Sequence, residues 1–422
     1  MLRLVKPLLL LCLLLLAGQH MAQPRVIVST DIGGTDDDDF QSMIHYLMYA
    51  NQFKTEGLIS SPYGDGRKED ILRIIDLYEK DYPKLKANAK GFPTANVLRA
   101  VVKQGATERA PAKGWTTPTE GSEWIISCAK RESSQPLWVL VWGGIEDLAQ
   151  ALHDAPEIAP KLRVYWIGGP NKKWGAEAYH YLVSNFPELW MIEANATYRG
   201  WFQDISTGKV FDNSNYHDQH IKNHGAMGRD FSNYYKGVIK MGDTPSVAYL
   251  LHGNPEKPEE PSWGGSFVPL HFSARRIFNR ATTLADQVPV FGVLEWVMQG
   301  PDKGAANEEP SLWLEVDGQR FEGYYEGNGR YRARFVPKAV GEWSYKISSS
   351  IKELDGQQGQ FTSTDPWPGK QHPQNLAPLT GWWSDSPDPA SYVGPHQGAA
   401  TVNRWQKEFL DDWAKRWAWL AE

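Results

Sequence analysis

Cysteine is nearly absent from this 422-residue chain, with Cys12 and Cys128 the whole complement. Cys12 lies in an apolar leader, so Cys128 is left alone and no internal disulfide can form in the mature chain. Stability must then come from packing, and from a bound ion if one is held. Cys128 sits in a helix-like stretch at 123–130 beside Trp124, Ile125 and Ile126, which reads as a buried thiol rather than a nucleophile. Long apolar runs are scarce too. One run, at 8–17, follows Arg3 and Lys6 and ends on the small residues Gly18 and Ala22. It is short for a membrane span and reads as a signal peptide over 1–22, with an uncleaved anchor as the alternative. No second such run follows, which points to a secreted or periplasmic protein with no membrane partner after cleavage. A basic stripe is missing as well. Losing Arg3 and Lys6 takes the formal charge from −6 to −8, which argues against a partner that is a nucleic-acid polymer. Aromatic residues, by contrast, are plentiful: 19 Trp, 18 Tyr and 15 Phe suit a large core and a sugar-facing surface.

The length suggests two or three domains. From Arg25 onward, short apolar runs alternate with amphipathic stretches. Val26-Ile27-Val28, Gly57-Leu58-Ile59, Leu137–Val141 and the run at 164–167 read as strands, with 189–192 a further one. Phe40, Met43, Ile44 and Leu47 recur at helical spacing, as do stretches at 71–82, 95–102 and 145–152. This alternation predicts an α/β fold over 23–285, a mostly parallel sheet flanked by helices. Ligands bind such sheets outside the carboxyl ends of the strands, so the loops opening at Asp31, Ser61, Gly143 and Gly168 share one crevice. After Ala285 the strands shorten, at 288–297, 311–316, 320–325, 331–335 and 341–347, with turns at Asp317-Gly318 and Asp355-Gly356. That predicts a small all-β sandwich over 286–366. Helical spacing returns in the C-terminal segment 367–422, where Trp405, Phe409, Trp413, Trp417 and Leu420 form one apolar stripe that needs a partner surface. The simplest arrangement packs this segment back on the α/β domain; a free-standing terminal helix is the alternative.

The densest chemistry lies in Thr30-Asp31-Ile32-Gly33-Gly34-Thr35-Asp36-Asp37-Asp38-Asp39, between a strand and a helix. Helix capping and the macrodipole account for one or two of these aspartates. Five within nine residues repel one another, and a hard divalent cation with oxygen ligands offsets that repulsion. The spacing is not that of an EF-hand.

Val28-Ser29-Thr30-Asp31-Ile32-Gly33 followed by Asp38-Asp39 resembles the signature of inosine–uridine nucleoside hydrolases, in which calcium sits in the turn after the first strand. Ser29 and Ile32 depart from that signature, and the longer loop points to the related cellulose-binding proteins with a nucleoside-hydrolase-like domain. Glu56-Gly57-Leu58-Ile59-Ser60, Trp142-Gly143-Gly144-Ile145-Glu146-Asp147 and Gly242-Asp243-Thr244-Pro245 resemble the family's later motifs, in order. The resemblance implies calcium held by Asp31, Asp39, the main-chain carbonyl of Trp142, and Asp243. It also implies Asp31 as general base toward metal-activated water, and Asp38 as acceptor from a sugar hydroxyl. From its own surroundings Asp243 reads equally as a helix N-cap before Pro245. Asp36 and Asp37 read as loop and capping residues. Asp65, at the crevice end of the second strand, and Trp263, which either overhangs the crevice or packs in the core, are further substrate-binding candidates.

The family's histidine before the late aspartate is Gly242 here, and its Asn/Glu ribose pocket is not recognisable at 171–185. Glu146 and Asp147 are replacement acids or simply cap residues, and His180 reads as a packed or surface histidine. The β segment, through Val290-Phe291-Gly292-Val293, the run at 331–337 and Gly341-Glu342-Trp343-Ser344-Tyr345, resembles the immunoglobulin-like module of glycan-degrading proteins. Its Tyr324 and Tyr325 either stack on sugars or pack between domains. Two functions follow from these resemblances. One is a secreted calcium-dependent hydrolase of N-glycosyl or related glycosidic bonds. The other is a non-catalytic carbohydrate-binding protein with a structural calcium and a cellulose-like glycan as ligand. The partner in either case is a small glycoside or a polysaccharide, with a homo-oligomer left open.

Overall fold

The computed structural model describes residues 23–201, 213–366 and 378–421, together with residues 372 and 374. The expected leader and Cys12 lie outside the described residues. The first sheet has eight strands in the order β3-β2-β1-β4-β5-β6-β16-β7. These are β1 Arg25–Thr30, β2 Lys54–Ser60, β3 Val102–Gln104, β4 Leu137–Val141, β5 Leu162–Ile167, β6 Met191–Ala194, β7 Phe267–Pro269 and β16 Trp382–Asp385. From β3 to β16 every neighbouring pair is parallel, and β7 runs antiparallel at the edge.

Central parallel strands are covered on both faces, which is why β1 and β4 are apolar runs rather than alternating ones. Successive side chains still point to opposite faces. Val26 and Val28 join one core with helices α1 Asp38–Met48 and α2 Lys68–Asn88. Ile27 joins the other with α3 Glu120–Lys130, α4 Glu146–Asp154 and α5 Ala176–Asn185. The chain steps outward from β1 to β3 and then returns to β4 on β1's other side. The order therefore reverses at β1 and β4, and the crevice expected at such a switch point opens beyond Thr30 and Val141.

The expected helix at 95–102 is cut short. It spans Ala95–Arg99, and Val102 then pairs with Leu58 as the edge strand β3. Consecutive β-branched residues at Val101 and Val102 favour that extended pairing.

The C-terminal segment is part of the first domain. Trp382–Asp385 enters the sheet between β6 and β7. Helix α8, Gln406–Ala418, buries Phe409, Trp413 and Trp417 in the core of α1 and α2. The Phe409 ring stacks on Trp201 at 3.6 Å, and Trp413 meets His45 at 5.5 Å. Arg416 donates to the Met48 carbonyl at 2.7 Å and to Asn51 Oδ1 at 2.9 Å. The free-standing alternative for this helix is thereby excluded. Two shorter helices, α6 Gly225–Phe231 and α7 Thr244–Leu251, complete the frame around the crevice.

The second sheet is all-β, in the order β8-β10-β13-β12-β11-β14-β15-β9. Its strands are β8 Arg275–Phe278, β9 Gln287–Pro289, β10 Val293–Gln299, β11 Pro310–Val316, β12 Gln319–Gly327, β13 Arg330–Phe335, β14 Gly341–Ser348 and β15 Gln358–Thr364. The expected boundary at residue 286 falls between β8 and β9, and the expected strand at 288–297 is divided by a turn at Phe291, whose φ is +63°. Trp296 of β10 lies 4.5 Å from Tyr345 of β14 and 5.8 Å from Phe361 of β15. The sheet therefore curls over its own core. Tyr324 and Tyr325 are both buried, so neither is an exposed sugar platform. Between the domains, Phe321 of β12 lies 5.6 Å from Trp174, and Arg334 of β13 pairs with Glu177 on α5.

Because Trp413 is wholly buried among His45, Tyr216 and Phe231, Trp413→Ala should cost about 3–5 kcal/mol. Denaturant unfolding measures this, and a loss of less than about 1 kcal/mol would contradict the packing described.

Candidate metal and sugar site

β1 ends in a tight turn, with Gly34 N–H donating to the Asp31 carbonyl at 2.8 Å and Ile32 N–H to Thr30 Oγ1 at 3.1 Å. The turn swings the chain into α1, whose first two residues are Asp38 and Asp39. Asp37 stands at the N-cap position but makes no side-chain cap bond; its N–H donates to the Tyr235 hydroxyl at 2.7 Å. Asp36 is more than a loop residue. Its carboxylate takes the Lys240 ammonium at 2.6 Å, and the same ammonium lies 3.3 Å from Asp38 Oδ1.

Asp31, Asp38, Asp39 and Asp243 are each less than a tenth exposed. Gly242 N–H donates to Asp38 Oδ2 at 3.2 Å, and the Thr30 hydroxyl donates to Asp39. Asp243 Oδ2 is buried without a hydrogen-bond partner. Burial pushes Asp31 up to about 7, with repulsion from Asp36 and Asp38 adding to it and a hydrogen bond with Asp39 opposing it. Burial also drives Asp38, Asp39 and Asp243 far above the carboxylate range, reinforced by their neighbours' charges. Asp36 stays below that range, because its bonds with Asp38 and Lys240 outweigh its burial. Several buried carboxylates facing one cation are unstable as anions. They must hold protons or a further positive charge.

Among the described residues, Asp36, Asp38 and Asp39 offer oxygens within 4.8 Å of one another. Asp31 and Asp243 flank this trio, and after burial the strongest repulsion on Asp243 comes from Asp39. The Trp142 carbonyl accepts from Asn171 Nδ2 at 2.8 Å and keeps a second lone pair. The donors are all oxygen, the chemistry that hard divalent cations take, although the carboxylates grouped within 4.8 Å are Asp36, Asp38 and Asp39, with Asp31 and Asp243 outside that group. The N-cap alternative for Asp243 fails on geometry. Asp243 precedes α7, but its carboxylate makes no cap bond; its carbonyl instead accepts from Ser246 N–H at 3.0 Å and Oγ at 2.7 Å.

Two glycines make room for this arrangement. A Cβ on Gly143 would collide with the Asp31 carboxyl, and one on Gly242 would collide with Asp38 Oδ2. A side chain at 242 would thus compete with Asp38 for the same space.

The other expected residues scatter. Asp65 is exposed in the loop after β2, where its carbonyl accepts from Arg67 at 3.0 Å, outside the buried group. Trp263 does not overhang the crevice. Its ring stacks at 5.2 Å on His252, at the far end of α7 from Asp243, roughly 12 Å along the helix. His180 is half-buried on α5, and burial lowers its pKa. Asp147 is structural: it accepts from Ala106 N–H at 3.0 Å and from the Thr119 hydroxyl. Glu146 differs. It is buried at the start of α4, accepts from the Tyr63 hydroxyl at 2.7 Å, and is pushed by burial up to about 7.

Sequence reasoning missed Glu193 and Asn195. Glu193 lies in β6 and Asn195 just beyond its end, at the carboxyl edge of the sheet and past the 171–185 stretch where an Asn/Glu pair was expected. Glu193 is buried between Lys172 and Tyr179, and Asn195 Nδ2 donates to it at 2.8 Å. Polar residues directly after a buried apolar strand were the available signal.

Glu146 and Asp385 both hold protons to about pH 7 in the folded state because they are buried. The unfolded chain releases those protons near pH 4, so each ionisation opposes folding as pH rises. The thermal midpoint should therefore fall as pH rises from about 4 to about 7 and level off above that, and Glu146→Gln should flatten the fall. A midpoint rising across that range would contradict the burial.

Residues 25–267 match the family described as cellulose-binding Sde182, nucleoside hydrolase-like domain. Residues 287–350 match a domain of unknown function, DUF5060. No curated protein matches the chain. Among solved structures, the chain is similar to a nucleoside hydrolase-related hypothetical protein from Saccharophagus degradans that is associated with carbohydrate metabolism. Identity is 19%, over 81% of this chain and 100% of that one, with a TM-score of 0.50. An inosine-uridine preferring nucleoside hydrolase from Bacillus anthracis is 16% identical over 60% of this chain and 86% of its own, with a TM-score of 0.37. With more than half of its length matched, the chain belongs to the cellulose-binding Sde182 family through its nucleoside hydrolase-like domain.

Proposed function

We propose that the protein is an exported, calcium-dependent hydrolase of N-glycosyl or related glycosidic bonds. One observation carries the reading: Asp31, Asp38, Asp39 and Asp243 are buried together at the switch point, and Asp243 Oδ2 has no partner. The description of the family as cellulose-binding, and a neighbour associated with carbohydrate metabolism, support a glycan ligand.

Asp31, Asp39, Asp243 and the Trp142 carbonyl would hold calcium, with Asp36 and Asp38 adding negative charge beside them. Bound there, the ion supplies positive charge that offsets the carboxylates and eases proton loss from water. Asp31, seated against Gly143, takes the proton as the water oxygen bonds to the anomeric carbon. The bond from that carbon to the leaving nitrogen or oxygen breaks, and its electron pair departs with the leaving group. Asp38, fixed by Lys240 and Gly242 N–H, accepts from a sugar hydroxyl. Glu146, carrying a proton and oriented by Tyr63, is the candidate donor to the leaving group.

A second reading, a non-catalytic carbohydrate-binding protein with structural calcium, draws on two features. Gly242 offers no acid, and Lys240 already occupies one oxygen of Asp38.

Turnover of nucleosides and aryl glycosides at saturating calcium separates the two readings. Asp31→Asn should lower kcat/KM at least about 100-fold. A wild type with no turnover that still sediments with polysaccharide would leave the binding reading standing. Calcium at about 100 times its Kd should raise unfolding free energy by about 2.7 kcal/mol. Asp243→Ala should abolish that gain, and a gain that survives the substitution would place the ion elsewhere.

A further inference from the structure

Beside the aspartates, at the carboxyl ends of β6 and β16, a cavity of about 190 Å³ opens where the two domains meet. It is smaller than the roughly 300 Å³ at which pockets for drug-sized ligands begin, and equals the share of about six water molecules. Its floor is polar: Lys172, Glu193, Asn195, Ser384, Asp385 and Gln397 line it, and all but Asn195 are buried.

Most of that floor is already fixed by internal bonds. Glu193 is held by Lys172, Tyr179 and Asn195. Asp385 accepts from Ala196 N–H at 2.5 Å, Thr197 N–H at 3.1 Å and the Thr197 hydroxyl at 2.5 Å. Gln397 Nε2 donates to the Asp385 carbonyl at 2.7 Å. One acceptor is left over: Asn195 Oδ1 is buried with no hydrogen-bond partner. A buried polar atom without a partner is costly.

The walls are apolar and come from other parts of the chain. Leu270 and Ala274 contribute from the segment around β7 and β8, and Val290 and Phe291 from the turn between β9 and β10. Phe291 has φ of +63°, a conformation rare for a bulky residue. The turn is clamped by its N–H donating to the Pro337 carbonyl at 2.9 Å and its carbonyl accepting from Lys172 Nζ at 3.2 Å. Such strain persists where surrounding structure enforces it, and it gathers at ligand sites.

We infer that this cavity is a subsite for one ring of a neutral saccharide, with the ring's apolar face against Phe291 and its hydroxyls on the Asn195 floor. A fixed array of donors and acceptors opposite an apolar wall matches a sugar, which has hydroxyls at its rim and C–H groups on its faces. Anionic sugars are disfavoured because the Lys172 ammonium is already paired with Glu193. This inference extends the glycan reading above, but it uses none of the aspartates and does not require hydrolysis.

The test is titration calorimetry of the mature protein with glucose, cellobiose and glucose 6-phosphate, in calcium and in chelator. Phe291→Gly removes the ring where the backbone already suits glycine. Ala274→Leu fills the cavity from the wall beside the Phe291 turn and serves if the first variant is poorly folded. Cellobiose should bind the wild type in both media, and each variant should weaken it at least tenfold. Glucose 6-phosphate should bind at least fivefold more weakly than glucose. Absence of binding by the wild type, unchanged binding in both variants, or loss of binding in chelator would each overturn the subsite. Turnover in the Asp31 assay with no effect of these variants would sink the subsite and spare the hydrolase. Variant-sensitive binding without turnover would do the reverse.

Discussion

The crevice depends on one unfavourable interaction, the mutual repulsion of carboxylates buried where β1 and β4 part. Asp31, Asp38, Asp39 and Asp243 are withdrawn from water, and Asp36 stands at their edge. Charges in such a place are tolerated when they are paired, protonated or joined to a cation. Much of the surrounding architecture serves to hold them there. Gly143 and Gly242 give up side chains so that Asp31 and Asp38 can approach. Ser246 occupies the Asp243 carbonyl and takes a bond from the Trp142 indole at 2.8 Å. That tie links the residue just after β4, on one side of the crevice, to the helix on the other.

Among the described residues, the cation set against this group, Lys240, comes from a strained loop. Tyr235, Lys236 and Met241 all have positive φ, at 48°, 56° and 44°. Such residues cost on the order of 1 kcal/mol or more each. The wholly buried Gln41 braces the loop: its Oε1 accepts from the N–H groups of Lys240 at 2.8 Å and Met241 at 3.2 Å, and its Nε2 donates to the Val238 carbonyl at 2.9 Å. The result is Lys240 on Asp36 and Asp38, with Tyr235 over the start of α1. Positive charge is delivered at one side of the cluster, while Asp243 on the other side keeps an oxygen free. That asymmetry is why an oxygen-ligated ion and a lysine can serve the same group of aspartates.

The all-β domain is fastened to the same edge of the molecule. Glu295 has no exposed surface and sits among Arg275, Arg332 and Arg334. Arg334 reaches on to Glu177 of α5. Arg109 lies over both Trp174 and Phe321, at 4.6 and 5.5 Å, and joins the domains through their rings. Lys172 and Phe291 complete the junction beside β6. A domain held by charge pairs and aromatic contacts at the carboxyl edge of a parallel sheet is placed to shape whatever enters the crevice.

Much of this was legible in the sequence because it is local. Alternation of apolar runs with helical spacing fixed the strands from Val26 to Ile167, their parallel arrangement and the edge on which Asp31 must lie. The stripe of Trp405, Phe409, Trp413 and Trp417 declared a buried helix, and the density of aspartates declared a need for positive charge. The remainder depended on residues far apart in sequence meeting in space. Nothing near Asp36 could reveal Lys240, 204 residues later, and nothing near Asp243 could tell a cap from a free carboxylate. Trp263 shared a motif neighbourhood with the crevice but was carried to the opposite end of α7, because a helix separates its two ends by its length. Glu193 and Asn195 acquired their roles from Lys172, Tyr179 and Ser384, which only the folded sheet brings to them. The sequence by itself determined which segments are strands and helices and that carboxylates crowd one turn, since periodicity and residue type are properties of neighbours along the chain. The tertiary structure alone decided which carboxylates are paired, which oxygen is left free and where a cavity remains, since those are properties of neighbours in space.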